Sequence, residues 1–319
     1  MIELLLLALG FVMLIFGSDW LVKGASALAK TYKVPDIVIG LTIVSFGTSM
    51  PELLVSLLAA QSGATDIAVG NVLGSNIANV LLILGIAAII YPLRVKRKTT
   101  WIEIPISLMA AVLLGLLAHF GFESLPGQAK IGRGDGIILL IAFAGFMWYI
   151  FDLVKKGKDA PFEEHFETMA GWKCTLYIIV GIGVMGWGGK ISVDAAILLA
   201  RGWGVSEALI GLTIVAVGTS LPELATSAVA AWKKETDIAV GNVVGSNIFN
   251  ILWILGVSSA IKPLPFRSEI KFDFAVTIGS SLILFLFMFV GKRHELGRWK
   301  GILFILLYAI YVVYLINRG

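Results

Sequence analysis

The chain is poor in charge and nearly devoid of cysteine and histidine. Among 319 residues only 14% are Asp, Glu, Lys or Arg, where a water-soluble protein carries about 25%. A single cysteine, Cys174, excludes an internal disulfide or a thiolate cage. The three histidines, His119, His165 and His294, are far apart in the sequence. Hydrophobic residues make up 58%, more than one water-excluding core can hide. A soluble enzyme, a secreted disulfide scaffold and a disordered chain are thereby ruled out, and the bilayer is the expected solvent. The net charge of +4 does not indicate nucleic acid, because membrane proteins collect Lys and Arg in their inner loops.

A membrane-spanning helix needs about 20 predominantly apolar residues. Ten segments meet that requirement: Ile2 to Ala29, Pro35 to Ala60, Ile67 to Tyr91, Trp101 to Phe120, Gly136 to Val154, Leu176 to Ala200, Glu207 to Trp232, Ile238 to Ile261, Phe274 to Val290 and Gly301 to Ile316. The first opens on Glu3 instead of a basic region and is too long for a signal peptide, so it is read as a retained helix. With the N-terminus outside, sixteen Lys and Arg fall in inner connections and seven in outer ones. The positive-inside rule then places both termini outside. The fold class predicted is an all-α polytopic membrane protein of the prokaryotic plasma (inner) membrane. No obligatory protein partner is expected beyond the lipid bilayer.

Residues 40–85 and 211–256 align without a gap at an offset of 171, with 31 of 46 positions identical. The offset spans five predicted helices, so the second copy enters the membrane from the opposite side. That is an inverted repeat, a construction of secondary transporters whose binding site lies at the midplane between the halves. The predicted organisation is a first five-helix half at 1–154, a connecting inner loop at 155–171 and a second half at 172–319.

Each copy places a proline and a glutamate inside an apolar segment: GLTIVSFGTSMPELLVS at Gly40 to Ser56, and GLTIVAVGTSLPELATS at Gly211 to Ser227. Pro51 and Pro222 cannot donate to the carbonyls of Gly47 and Gly218. Freed backbone oxygens at membrane depth are tolerated only when buried in protein or lining a cavity. A plain helix kink explains one proline; the same break twice, each time beside a carboxylate, points to use. Glu52 and Glu223 each cost about 2.5 to 3.5 kcal/mol at the bilayer centre. A salt bridge to Lys23 or Lys190 is the competing explanation, but those lysines have Asp19 and Asp194 one turn away. Thr48, Glu52 and Ser56 share helical spacing, as do Thr219, Glu223 and Ser227. The following segments, GNVLGSNIANVL and GNVVGSNIFNIL, line up Asn71, Ser75 and Asn79 with Asn242, Ser246 and Asn250. Such residues serve as interhelical glue one at a time, but six in register with two glutamates read as a ring of ligands.

Hard oxygen donors of this kind suit Ca²⁺ or Na⁺, not zinc or copper. Two glutamates balance one Ca²⁺ or two Na⁺, and a third Na⁺ would make exchange voltage-sensitive by about 2.3 kcal/mol per charge per 100 mV.

The paired GTSxPE and GSNxxN segments resemble the α-repeats of the cation/Ca²⁺ exchanger superfamily, in its prokaryotic sodium/calcium exchanger branch. The resemblance implies antiport of Na⁺ against Ca²⁺ by alternating access, with no cofactor and with the first and sixth helices sliding against an eight-helix core. Carried over by position, it assigns Ca²⁺ to Glu52, Glu223 and the carbonyls of Thr48 and Thr219. It assigns Na⁺ to the glutamates with Ser49, Ser220, Ser75, Ser246 and the carbonyls of Ser45 and Ala216, and it places Asn79 and Asn250 at the centre. Potassium-dependent relatives carry aspartate where this chain has Asn250, which implies K⁺-independent exchange. Ca²⁺/H⁺ exchange, or exchange of another divalent cation for protons, is the transport alternative. A GxGD pattern at Gly132 to Asp135 raises a different class, an intramembrane aspartyl protease, but it precedes its helix and lacks a second aspartate in matching context.

Overall fold

The computed structural model describes residues 2–122, 129–157, 169–202, 216–266 and 270–318. Its helices in chain order are α1 (Ile2–Tyr32), α2 (Asp36–Thr48), α3 (Met50–Ser62), α4 (Thr65–Ile90), α5 (Arg97–Phe120), α6 (Arg133–Lys156) and α7 (Gly171–Gly202), followed by α8 (Leu221–Trp232), α9 (Thr236–Ile261), α10 (Ile270–Phe287) and α11 (Arg298–Arg318). Eight of these are long and apolar enough to cross a membrane, and α2 with α3 forms a ninth span bent by 49°. The seventh predicted segment is described only from Ala216 onward, as a helical turn at Ala216–Gly218 and then α8. The loop residues 158–168 and the repeat residues 211–215 lie outside the described residues.

Burial sorts the helices into layers. In α9, 94% of the most apolar stretch is buried, and in α4, 72%, against 22% in α6 and α11. The central pair therefore consists of the helices bearing the repeated Gly-Asn-Val and Gly-Ser-Asn sequences. Helix α9 packs on α2, and α4 packs on α3 and α11. Lipid-facing apolar side chains such as Leu116, Ile141, Trp148 and Ile310 stud the outer helices.

Helices α1 and α7 are the longest, with 31 and 32 residues. At 1.5 Å per residue they span roughly 46 to 48 Å, more than the ~30 Å hydrocarbon layer. They lie against each other through small residues. A Cβ placed on Gly17 would stand 2.8 Å from the Met185 amide nitrogen, and one on Gly181 would stand 2.7 Å from the Gly17 carbonyl oxygen. Backbone thus meets backbone, the packing that small residues permit in membranes.

The connections segregate into two groups. Leu93 and Arg94 pair with Leu296 and Glu295, while Lys130 and Ile131 pair with Pro265 and Leu264. In the first group Lys96 also bonds Asp237 at 2.5 Å and Lys30 reaches Glu235 at 3.6 Å. Each pairing joins loops that the charge count had put on the same side.

Two local expectations change. Pro51 does not kink a continuous helix: α2 ends at Thr48, and Pro51 occupies the second position of the new helix α3, where a missing N–H leaves nothing unpaired. Pro222 takes the same place in α8. Thr48 therefore does not share one unbroken helical face with Glu52 and Ser56. The acid expected to hold Lys23, Asp19, bonds Lys233 instead, at 2.6 Å. The Lys23 ammonium lies over the Tyr177 ring, 5.3 Å from its centroid. Lys190 does pair with Asp194, at 2.9 Å.

Gly17→Val is expected to cost about 1 to 3 kcal/mol by overpacking. The measurement is the thermal midpoint of the detergent-solubilised protein, which should fall by several degrees, whereas Gly183→Val, whose Cβ would meet nothing within 4 Å, should leave it in place.

Candidate ion-binding site

Glu52 and Glu223 stand third in α3 and α8, within the first turn, where the unpaired N–H groups and the helix dipole favour negative charge. Both are 0% exposed, and each accepts a hydroxyl from the residue that opens the other's helix. Among the described residues no Lys, Arg or His forms an ion pair with either carboxylate. The salt-bridge explanation for their presence thus fails.

Hydroxyls from the opposite half hold them. Ser220 Oγ donates to Glu52 Oε1 at 3.2 Å, and Ser49 Oγ donates to Glu223 Oε1 at 2.9 Å. Ser75 adds a second donor to Glu52 at 3.3 Å. The helix starts are fastened to the central pair by matching amides. Asn71 Nδ2 donates to the Glu52 carbonyl and to Ser56 Oγ, at 3.3 and 3.1 Å. Asn242 Nδ2 does the same for Glu223 and Ser227, at 3.3 and 2.9 Å. Thr48 Oγ1 then crosses to Asn242 Oδ1, and Thr219 Oγ1 crosses to Asn71 Oδ1.

At the centre, Asn79 Nδ2 donates to Asn247 Oδ1 at 3.0 Å, and Asn250 Nδ2 donates to Asn76 Oδ1 at 2.9 Å. Each amide spends its donor on the other half and keeps its oxygen. Asn79 and Asn250 lie in π-helical stretches, Ala78–Ile83 and Phe249–Leu255, a local widening that recurs at functional sites.

Five buried oxygens on the predicted site residues have no hydrogen-bond partner: Glu52 Oε2, Glu223 Oε2, Asn79 Oδ1, Asn250 Oδ1 and Ser246 Oγ; others, such as Asp36 Oδ1, Glu103 Oε2 and Ser192 Oγ, lie on residues outside that set. Buried polar atoms are nearly always paired, so five open acceptors on the predicted site residues could take a ligand that accepts oxygen coordination. Among the described residues there is no cluster of three His, Cys, Asp or Glu side chains, so any such ligand meets a shell of mixed carboxylate, amide and hydroxyl oxygen. The Ser45 carbonyl differs. It already accepts the Ser49 N–H at 3.0 Å and lies 3.2 Å from the Thr48 hydroxyl oxygen, whose one proton it shares with Asn242 Oδ1 at 3.0 Å. In the second half the Ser220 N–H turns to the Val217 carbonyl, at 3.1 Å.

The profile of the family described as sodium/calcium exchanger protein matches residues 2–151 and 173–317. The chain belongs to the sodium/calcium exchanger protein family. This exchanger is 33% identical to the sodium/calcium exchanger MaX1 of Methanosarcina acetivorans, over 98% of both chains. It is 35% identical to the putative antiporter CaxA of Alkalimonas amylolytica, over 95% of each. A solved structure of the sodium-calcium exchanger NCX_Mj soaked with 10 mM Na⁺ and zero Ca²⁺ superposes with a TM-score of 0.83 at 35% identity, covering 98% of both chains. Such relatives are transporters and not enzymes. The GxGD motif of this exchanger has a plain structural use: the Asp135 carboxylate accepts the N–H groups of Gly132 and Phe122, at 2.8 and 3.1 Å, at the start of α6.

Sequence reasoning passed over Asn76 and Asn247. Each donates to the other's carbonyl, at 3.3 and 3.5 Å, and together they orient the two central amides. Their signal was present, since they are identical and 171 residues apart.

Because two buried carboxylates oppose each other without a cationic side chain, the ion-free protein is destabilised by its own site. Glu52→Gln with Glu223→Gln is expected to raise the thermal midpoint in ion-free buffer. Added Ca²⁺ at about 100 times its dissociation constant should stabilise the unaltered protein by about 2.7 kcal/mol and leave the double variant unmoved; a double variant that is less stable without ions and still responds to Ca²⁺ would contradict this.

Proposed function

We propose that this exchanger is a secondary active antiporter that moves Na⁺ against Ca²⁺ by alternating access, through one site centred on Glu52 and Glu223. The observation that carries the reading is the coincidence of the five partnerless buried oxygens with residues matched at the 171-residue offset. Two uncompensated negative charges require cations, and the open acceptors are the hard oxygens that Ca²⁺ and Na⁺ select. The names of the sodium/calcium exchangers it resembles support the same pair of ions.

In this reading Ca²⁺ takes Glu52, Glu223 and the carbonyls of Thr48 and Thr219, which stand where the helices break. Na⁺ takes the glutamates with Ser49, Ser220, Ser75 and Ser246 and the carbonyls of Ser45 and Ala216. Asn79 and Asn250 complete the centre. A neutral amide at Asn250 gives K⁺ no carboxylate, so exchange is K⁺-independent. The ten spans form two inverted five-helix halves, 1–154 and 172–319, joined by the inner loop 155–171, in a prokaryotic plasma membrane with both termini outside. The chain works without a cofactor or an obligatory protein partner.

The test is radiolabelled Ca²⁺ uptake into proteoliposomes. Internal Na⁺ should drive uptake, internal K⁺ should not, and K⁺ on both sides should leave the Na⁺-driven rate unchanged. Uptake driven by a pH gradient alone would replace Na⁺ with protons as the counter-ion. Glu52→Gln and Glu223→Gln should each bring uptake to the level of protein-free liposomes; normal transport by both would remove the site from these residues.

A further inference from the structure

The repeat relates α1 to α7 and α8 to α3, so the contact of α1 with α8 has a counterpart in the contact of α7 with α3. The two are not alike. On the α1–α8 side, Thr226 Oγ1 of α8 donates to Met185 Sδ of α7 at 3.1 Å, Ser18 Oγ of α1, which donates to the Leu14 carbonyl at 2.6 Å, stands 3.0 Å from the same sulfur, and Ser18, Thr226 and Met185 are buried. Farther along, Lys233 Nζ bonds Asp19 Oδ1 at 2.6 Å and the Asp19 carbonyl at 3.1 Å. Glu235 accepts Ser26 Oγ at 3.0 Å and faces Lys30 at 3.6 Å.

On the α7–α3 side a cavity of about 490 Å³ separates the helices, lined by Ile182, Gly189 and Val193 of α7 and Leu54 and Val55 of α3. On α7 the position that matches Asp19 at the repeat offset is Lys190, and Asp194, which matches Lys23, bonds within its own helix among the described residues. Its pair with Lys190 is solvated, the side chains 57% and 72% exposed. The sequence accounts for the difference. Lys233, Lys234 and Glu235 correspond at the repeat offset to Ser62, Gly63 and Ala64, so the α7–α3 side has neither the base nor the acid that fastens α1.

We propose that Lys233 with Asp19, and Glu235 with Lys30 and Ser26, form a one-sided latch that holds α1 closed on the helix of Glu223 and biases the protein toward access from the α3–α7 side. The proposal rests on the alternating-access reading above. The latch residues position helices and touch no ion. Partly exposed pairs of this kind are individually weak, which suits a contact that must break in every transport cycle.

The test compares two engineered cysteines at matched positions, Leu54→Cys on the open side and Ala225→Cys on the closed side, by their rates of reaction with a water-soluble maleimide in nanodiscs without Na⁺ or Ca²⁺. The protein without either cysteine gives the background of Cys174. Lys233→Gln should accelerate Ala225→Cys by about threefold to fivefold without accelerating Leu54→Cys, and Asp19→Asn should do the same. The charge exchange Asp19→Lys with Lys233→Asp should return the rate toward that of the unaltered protein. An unchanged Ala225→Cys rate in both single variants, equal acceleration at both positions, or no recovery in the exchanged pair would overturn the latch. Ca²⁺ uptake by the unaltered protein separates the two readings. If it is absent while labelling behaves as stated, the antiport reading fails and the latch stands; if it is present while labelling does not respond, the latch alone fails.

Discussion

Two carboxylates at membrane depth, neither paired with a cationic side chain among the described residues, set the terms for the rest of this structure. An isolated charge in the bilayer centre is costly even on the lenient insertion scale, and two like charges close together compound the cost. The chain mitigates this in three ways. It starts a new helix at each glutamate, so that the charge sits at the positive end of a helix dipole. It brings a serine hydroxyl from the other half to one oxygen of each carboxylate. It surrounds both with the two most buried helices, α4 and α9. None of these neutralises the charge, and the second oxygen of each carboxylate stays open. The fold is built to tolerate the two carboxylates, and in the proposed function a cation completes the site.

The cross-bracing between halves has a further consequence. Ser49 serves Glu223, Ser220 serves Glu52, and Thr48 and Thr219 reach the asparagines of the opposite repeat. Neither half holds a finished site, so the repeat could not be shortened to one copy and keep it. The same bracing binds α2, α3, α4, α8 and α9 into one network. Helices α1 and α7 instead meet each other through glycine backbone contacts, the close packing that small residues permit in membranes.

Much of this was legible in the sequence, for physical reasons. Apolar length identifies spans because the bilayer has a fixed thickness, and a gapless repeat identifies paired sites because symmetry reuses the same chemistry. The glutamates stood out because charge is scarce. What was not legible depended on contacts remote in sequence. Asp19 has a lysine one turn away and yet bonds Lys233, because the register of α1 against α8 decides the partner. Pro51 looked like a kink, but the chain changes direction at Ser49 and uses the proline to begin a helix. The π-helical turns that carry Asn79 and Asn250 have no local sequence signal of their own. Asp135 shows the reverse error: a motif suggested chemistry where the side chain caps two backbone amides.

Near-identity of the two repeats raises a problem that the surrounding charges address. If both halves were the same in sequence and in surroundings, the conformations open to either side of the membrane would be equal in free energy, and nothing would prefer one. The 46 aligned positions contain 31 identities, and those at the site glutamates and their asparagines are all conserved between copies. The contiguous stretch of difference falls at residues 61–64 against 232–235, at the end of the site helix and away from the ligands. Placing the asymmetry there leaves the glutamates and asparagines of the proposed site matched between the halves, and in the latch proposed above it changes which helix contact closes. Chemistry and bias are thereby encoded in separate residues, and one can vary without disturbing the other.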